Sequence, residues 1–367
     1  MKTGITISLA LAASMLAGQA GADTIRATSG FGPAHVLATD MYPEINTRLQ
    51  EFTDGGWDLN DTPSGLVAPN EMSTSLRDGV SDMGALLLPY FPADYPESAL
   101  PSELSFLGTS SSVVSAAVAE YVATCDDCQA EFVRNGQVYL GTDVTPVYNF
   151  LTVRPVRSAA DMQGMRIRTG APLYAAFVEK MGGIAVQMPS SELFEGLSSG
   201  VIDGTFSGNH EIVANRLGDV IDYVTEIEQG VFNGSASGTV SGLLWSRMSP
   251  EDRQALAQAT QYGIAKANAG FDADVSEARE VEGVEFIPAD ESLKQAQDEF
   301  NTAYLENVAA TLEGRGVTDA QTKADRYREL VEKWEGLITP EMTPEEIAQL
   351  RYDEIFAKLD MESYGQQ

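Results

Sequence analysis

Between residues 161 and 211 the hydrophobic pattern changes period four times. Residues 165–169 (MRIRT) alternate apolar with basic, as a half-buried strand does, and Leu173, Phe177 and Met181 then recur at helical spacing. Gly182 and Gly183 end that helix, because the position after a helix favours positive φ. Residues 184–188 read as a second strand. Ser190 reads as an N-cap with Glu192 in the first turn, and Leu193 with Leu197 as the buried side of a short helix. Gly200 stops it, and residues 201–206 form a third strand. The order is β-α-β-α-β, whose right-handed crossovers lay parallel strands side by side. Ligands in such sheets sit beyond the carboxyl ends of the strands, so the residues of interest are Arg168, Met188 with Pro189, and residues 207–210.

Residues 24–88 repeat the plan: a strand at 24–29, a glycine-rich turn at 30–35, a helix to about Phe52, a strand at 57–60, a helix at 72–78 and a strand at 81–88. Leu76-x-x-Gly79-Val80-x-Asp82 returns as Leu197-x-x-Gly200-Val201-x-Asp203, so two lobes on one plan are expected. The aromatic and proline-rich stretch 88–96 leaves the third strand of the first unit, where it either packs as a loop or walls a cleft. Further on, helices are expected at 110–135, 215–223, 292–312 and 323–334, and strands at 138–143, 231–245 and 284–287. Ser249-Pro250-Glu251-Asp252 is a strong helix start, with the helix running to about Glu280. Residues 339–367 carry no assigned role.

The chain is 43% hydrophobic and 21% charged over 367 residues, which fits a globular protein of two domains. Residues 1–22 have the basic start, short apolar run and small-residue end of a secretory signal, with cleavage expected after Ala22. No second apolar run of membrane length follows, so stable membrane insertion is not expected. A formal charge of −31 repels nucleic acid and anionic headgroups, so an organic anion needs a local cationic pocket. Cys125 and Cys128 stand as a C-x-x-C pair with Asp126 and Asp127 between them. Structural disulfide, spare thiols and redox pair are all open, though the two acids disfavour a reactive thiolate.

Arg168 followed by a small-residue turn and Pro172-Leu173-Tyr174, then Gly182-Gly183, a strand, the run MPSSEL at 188–193 and the run GVIDG at 200–204, resembles the signature of the solute-binding proteins of TRAP transporters, tripartite ATP-independent periplasmic uptake systems. The resemblance runs from about residue 24 to about 335. It implies an α/β fold of the two-lobed periplasmic binding protein type, each lobe a mixed sheet flanked by helices, joined by crossing strands and a long helix. The expected organisation is residues 1–22 as signal peptide, 23–146 with 236–277 as lobe one, 147–235 with 278–335 as lobe two and bracing helices, and 336–367 as a C-terminal extension. The implied function is capture of a small organic acid in the periplasm and its delivery to the membrane permease subunits of a TRAP transporter, without covalent chemistry or cofactor. The rival is a secreted lyase or decarboxylase on the same scaffold. A sensor ectodomain partner is a third reading, which the neighbouring genes would discriminate.

Arg168 is the expected carboxylate anchor, since a guanidinium offers paired donors that match a carboxylate. Family members often carry an arginine where this chain has Tyr148, so a monocarboxylate is expected. Asn209 and Ser207 are candidates to complete the hydrogen bonds, and Tyr148, Phe31, Tyr90 and Phe206 to supply apolar walls, with Met188 at a strand exit. His35 and His210 fall in turns that face the cleft, where loop packing, ligand contact and metal ligation are the alternatives. Neither lies in a catalytic or zinc-binding motif, no phosphate-binding loop or dinucleotide fingerprint occurs, and no metal ligand is assigned.

Overall fold

A computed structural model describes residues 22–63 and 67–366, so the expected signal sequence before Ala22 lies outside the described residues. Its strands are β1 Asp23–Thr28, β2 Trp57–Asp61, β3 Met83–Leu87, β4 Gln137–Tyr139, β5 Tyr148–Thr152, β6 Arg166–Thr169, β7 Ile184–Gln187, β8 Gly204–Gly208, β9 Tyr223–Glu226, β10 Ser235–Ser241 and β11 Glu285–Pro288. They form two sheets, ordered β2-β1-β3-β10-β4 and β11-β9-β5-β8-β6-β7. In the first, β1 runs parallel to β2 and β3; in the second, β6 runs parallel to β7 and β8. Each parallel trio is joined by one antiparallel strand, β10 beside β3 and β5 beside β8.

The repeated motif builds the same device twice. Arg26 Nε and the Arg26 backbone N–H both donate to Asp82 Oδ2, while Arg166 Nε and the Arg166 backbone N–H donate to Asp203 Oδ2. Arg26 lies within β1 and Arg166 opens β6, and each aspartate directly precedes the third strand of its trio. Gly79 and Gly200 sit at φ 71° and 70°, the left-handed turn that lets the helix hand over to that strand. Arg166 therefore clamps its own sheet through a partly exposed acid.

Both faces of the second sheet are covered. Phe150 of β5 enters one apolar cluster with Ile167, Phe177 and Phe206, and its neighbour Leu151 enters another with Leu193, Leu197 and Val224, as alternate residues of a strand must. Between the lobes two crossing segments pair with each other. The Tyr148 N–H donates to the Gly230 carbonyl at 2.8 Å, the Thr145 N–H to the Phe232 carbonyl at 3.1 Å, and Val147 bridges Val231. The helix Pro250–Ala278 starts as its sequence predicts, Ser249 Oγ accepting from the Asp252 N–H.

Several expectations are corrected. The helix expected at 215–223 is the short helix Glu211–Ala214 and a turn at Leu217–Asp219, because Arg216 takes φ 53° and no helix interior tolerates that. The single helix expected at 110–135 breaks into Ser111–Ala123 and Asp126–Arg134, the second capped by Cys125 Sγ accepting the Cys128 N–H. Ser190 is the first residue of a tight turn, with Pro189 in the capping position, so it caps nothing. The strand expected at 201–206 starts three residues later, and the one expected at 138–143 is paired only over Gln137–Tyr139. Cys125 and Cys128 are joined as a buried disulfide, which removes the spare-thiol alternative.

Residues past 338 have a structure of their own. The helix Pro344–Glu354 opens with a reciprocal cap between Thr343 and Glu346 and packs along Pro250–Ala278. Tyr364 then donates its hydroxyl to the Tyr139 carbonyl while its own carbonyl accepts from Trp245 Nε1. The tail is thus stitched to the first lobe.

Candidate functional site

A cleft with about 470 Å³ of space free of protein atoms, part of it open to solvent, lies between the lobes. Phe31 and His35 from the first glycine-rich turn, Tyr90 after β3, Tyr148 of β5, Arg168 of β6 and His210 after β8 all face it. These six expected residues come from both lobes, which fits a cleft closed over its contents.

Arg168 is 3% exposed. Its Nε donates to the Met188 carbonyl at 2.9 Å, and one terminal nitrogen lies 3.4 Å from the Tyr90 hydroxyl of the other lobe. Among the described residues no carboxylate is close enough to form an ion pair with it, unlike Arg26 and Arg166. The chain passes over the guanidinium at Gly170, where an added Cβ would stand 3.3 Å from a terminal nitrogen. Met188 therefore contributes by its backbone, aiming the guanidinium, and also borders a second, outer cavity with Pro89, Pro92 and Pro172.

The walls are aromatic. Phe31 stacks on His35 with ring centres 4.2 Å apart, and Phe271 meets both histidines edge-on, at 5.7 Å from His35 and 4.8 Å from His210. Tyr148 stacks on Tyr174 at 4.7 Å and lies parallel to Phe232 at 6.2 Å. It thus occupies the place expected of a second cation with a neutral phenol, whose ionisation burial makes harder still. Burial holds both histidines neutral by lowering their pKa to about 3, with His35 adding to the effect on His210. His35 Nδ1 accepts the Leu37 N–H at 3.2 Å, whereas His210 Nδ1 is buried without a partner.

Three expected residues stand behind the wall. Phe206 is wholly buried among Phe150, Phe177, Tyr148 and Tyr174. Asn209 Oδ1 accepts from Asn149 Nδ2 at 3.1 Å, and Asn149 Oδ1 in turn accepts the Ile227 and Glu228 N–H groups. Asn209 so ties the exit of β8 to the next crossing. Ser207 Oγ reaches Glu211 Oε1 at 3.5 Å.

Sequence reasoning missed Phe232, Phe271, Glu211, Asp143 and Ser235 on the cavity wall. The aromatic pair comes from a crossing segment and a distant helix, and nothing local marks them. Asp143 was findable, since it follows β4 as Arg168 ends β6. Glu211 is buried and its carboxyl is pushed up by burial, with Arg168 pulling it back; Asn215 and Ser207 occupy its oxygens. No group of three or more His, Cys, Asp or Glu side chains placed to hold a metal ion occurs among the described residues.

Comparison with known proteins gives the site its context. The profile of the family described as bacterial extracellular solute-binding protein, family 7, matches residues 32–312. A solute-binding protein of Chromohalobacter salexigens is 25% identical over 143 residues, which are 39% of this chain and 41% of that protein. One from Roseobacter denitrificans is 28% identical over 168 residues, 44% of this chain and 50% of the relative. The chain thus matches half or less of the length of these curated relatives. Among solved structures, a TRAP periplasmic solute-binding protein of Bordetella bronchiseptica with bound (R)- and (S)-mandelate superposes with a TM-score of 0.73 at 23% identity, covering 84% of this chain and 99% of that one. A TRAP solute-binding protein of Rhodoferax ferrireducens with copurified benzoate gives 0.72 at 19% identity, covering 86% and 99%. At such identities these likenesses establish the shared two-lobed fold. The matched family is described as one of solute-binding proteins, which speaks against the lyase or decarboxylase alternative. The chain belongs to family 7 of the bacterial extracellular solute-binding proteins.

Proposed function

We propose that this protein captures a small organic acid with a single carboxylate in the periplasm and delivers it to the membrane permease of a TRAP-type transporter. The observation that carries the reading is Arg168, a buried guanidinium with no protein carboxylate paired to it, on the wall of an aromatic-lined cavity between two lobes. A desolvated guanidinium favours an anionic partner from the solute, and paired donors suit a carboxylate. Tyr148 leaves no second cation among the residues lining the cavity, which speaks against a dicarboxylate. Phe31, Tyr90, Tyr148, His35 and His210 form the walls in this reading, while Met188, Ser207, Phe206 and Asn209 shape the site from behind. The bound acids of the structural neighbours, mandelate and benzoate among them, support the same class. Export rests on residues 1–22; the intact mass of the periplasmic protein checks cleavage after Ala22, and a mass retaining those residues rejects it.

The test is a thermal-shift panel of mono- and dicarboxylic acids on wild type and Arg168→Ala. A monocarboxylate at about a hundredfold over its Kd stabilises by roughly 2.7 kcal/mol. Arg168→Ala loses about 2 to 5 kcal/mol of binding. Largest shifts with succinate or malate, or full affinity in Arg168→Ala, overturn the reading.

A further inference from the structure

Arg168 lines the cavity from the second sheet; polar groups of opposite demand line it from the first. Asp143, between β4 and β5, and Ser235, the first residue of β10, both line the cavity on the side of the first sheet. Asp143 is 2% exposed and Ser235 is 3% exposed, yet among the described residues neither Asp143 Oδ1 nor Ser235 Oγ makes a hydrogen bond of normal geometry, although the two groups are neighbours. The backbone that carries Asp143 is fixed. Its N–H donates to Ser237 Oγ at 3.2 Å, and the next N–H, of Val144, donates to Asn268 Oδ1 at 3.1 Å. The carboxylate is therefore presented to the cavity by a held segment and does not turn away to find water. Burial raises its pKa, while the neighbouring Ser235 and Ser237 hydroxyls and, more weakly, the Arg351 guanidinium draw it down. Glu211 is not in the same position, because its oxygens already receive Asn215 and Ser207.

We infer that the solute carries, on the end away from its carboxylate, a hydrogen-bond donor, hydroxyl or ammonium, that seats against Asp143 and Ser235. The inference rests on the carboxylate reading of Arg168 given above. An unsubstituted apolar end would cover Asp143 Oδ1 without replacing its hydration, and a buried acceptor left unpaired is costly, more so when charged. A second carboxylate there would face Asp143 as a like charge. A donor satisfies Asp143 and at the same time joins the first lobe to the second, since Arg168 grips the other end from β6. Recognition and closure then depend on the same molecule spanning the cleft. His210 Nδ1, also unpartnered on the wall, offers a further polar contact.

Matched pairs of acids on the mature chain test this: benzoate against 3-hydroxybenzoate, phenylacetate against 4-hydroxyphenylacetate, and butyrate against 4-hydroxybutyrate and 4-aminobutyrate, with Kd measured by calorimetry. In at least one pair the donor-bearing acid is expected to bind tenfold or more tightly than its parent. Asp143→Leu should erase that preference. Asp143→Asn separates the two donors, since the amide keeps an acceptor for a hydroxyl but loses the charge that favours an ammonium. Ser235→Ala should cost severalfold and stands in for Asp143→Leu if that variant does not fold. Parent acids that bind as tightly as their substituted partners while still needing Arg168 overturn this inference alone. A preference that survives Asp143→Leu, Asp143→Asn and Ser235→Ala also overturns it. No binding by any acid, to wild type or Arg168→Ala, overturns the carboxylate reading with it.

Discussion

The guanidinium of Arg168 owes its aim to neighbours that never touch the solute in the proposed reading. The Met188 carbonyl holds Nε, and Gly170 leaves room for the terminal nitrogens. Arg168→Lys keeps the charge but loses the fork, so affinity should fall about 10- to 100-fold, or about 1.4 to 2.8 kcal/mol, in a calorimetric titration. Gly170→Ala pushes on the same nitrogens and should weaken binding severalfold with the melting temperature of the free protein nearly unchanged. The two buried histidines give a pH signature. Their folded pKa of about 3 lies below the ordinary 6.5, so the unfolded chain binds more protons between those values and stability falls as pH drops through that window. Glu211 beside them, with its pKa raised, works in the opposite sense, favouring the fold once protonated. Urea denaturation at pH 7.5 and pH 5 should show a smaller loss in His35→Gln/His210→Gln than in wild type; an equal loss would place the acid sensitivity elsewhere.

At the scale of elements, the C-terminal helix Pro344–Glu354 holds an unusual buried charge. Arg351 is fully buried and none of its three guanidinium nitrogens has a hydrogen-bond partner. Burial lowers its pKa to about 10 even though Tyr139 and Asp143 favour the cation. Burying a cation without direct bonds is costly, and apolar replacements of similar size are often neutral or stabilising. Arg351→Met should therefore leave the urea midpoint equal or higher; a loss above about 2 kcal/mol would mean the pairing with Asp143 outweighs desolvation. The sequence announced this helix clearly, with Pro344 at the first position and Thr343 and Glu346 spaced to cap each other, the same signal that was read correctly at Ser249. The repeated Leu-x-x-Gly-Val-x-Asp was legible because identical turn chemistry must sit at identical places. Cavity walls were legible mostly where a residue leaves a strand: Tyr90 and His210 followed that rule, Tyr148 lines the cavity from the start of β5, and Phe206, expected at a strand end, faces the core because β8 runs on to Gly208. Phe232 and Phe271 reach the cavity through tertiary placement, which local pattern does not encode.

For the molecule as a whole, two paired crossings near Tyr148 and Gly230 and the helix Glu291–Gly314 tie the lobes together. That helix packs Phe300 on Phe177 of one lobe and sends the Tyr304 hydroxyl to Glu103 beside the other. The Cys125–Cys128 disulfide lies outside this hinge and off the cavity wall. Replacing both cysteines with serine should leave solute affinity within about twofold, or about 0.4 kcal/mol. It should cost the fold about 2 kcal/mol or less, since the loop closed is very short. A tenfold loss of affinity would tie the bridge to the site. The contact between Arg168 and Tyr90 joins the two lobes over a guanidinium almost wholly shut off from solvent. Anything gripped there leaves only when the lobes part, so the escape rate has a ceiling set by the protein and common to every cargo. In a chase experiment, the weakest solutes should approach that ceiling while stronger ones, which hold the lobes closed, escape more slowly, and a receptor washed faster than it opens keeps a record of the last molecule it met.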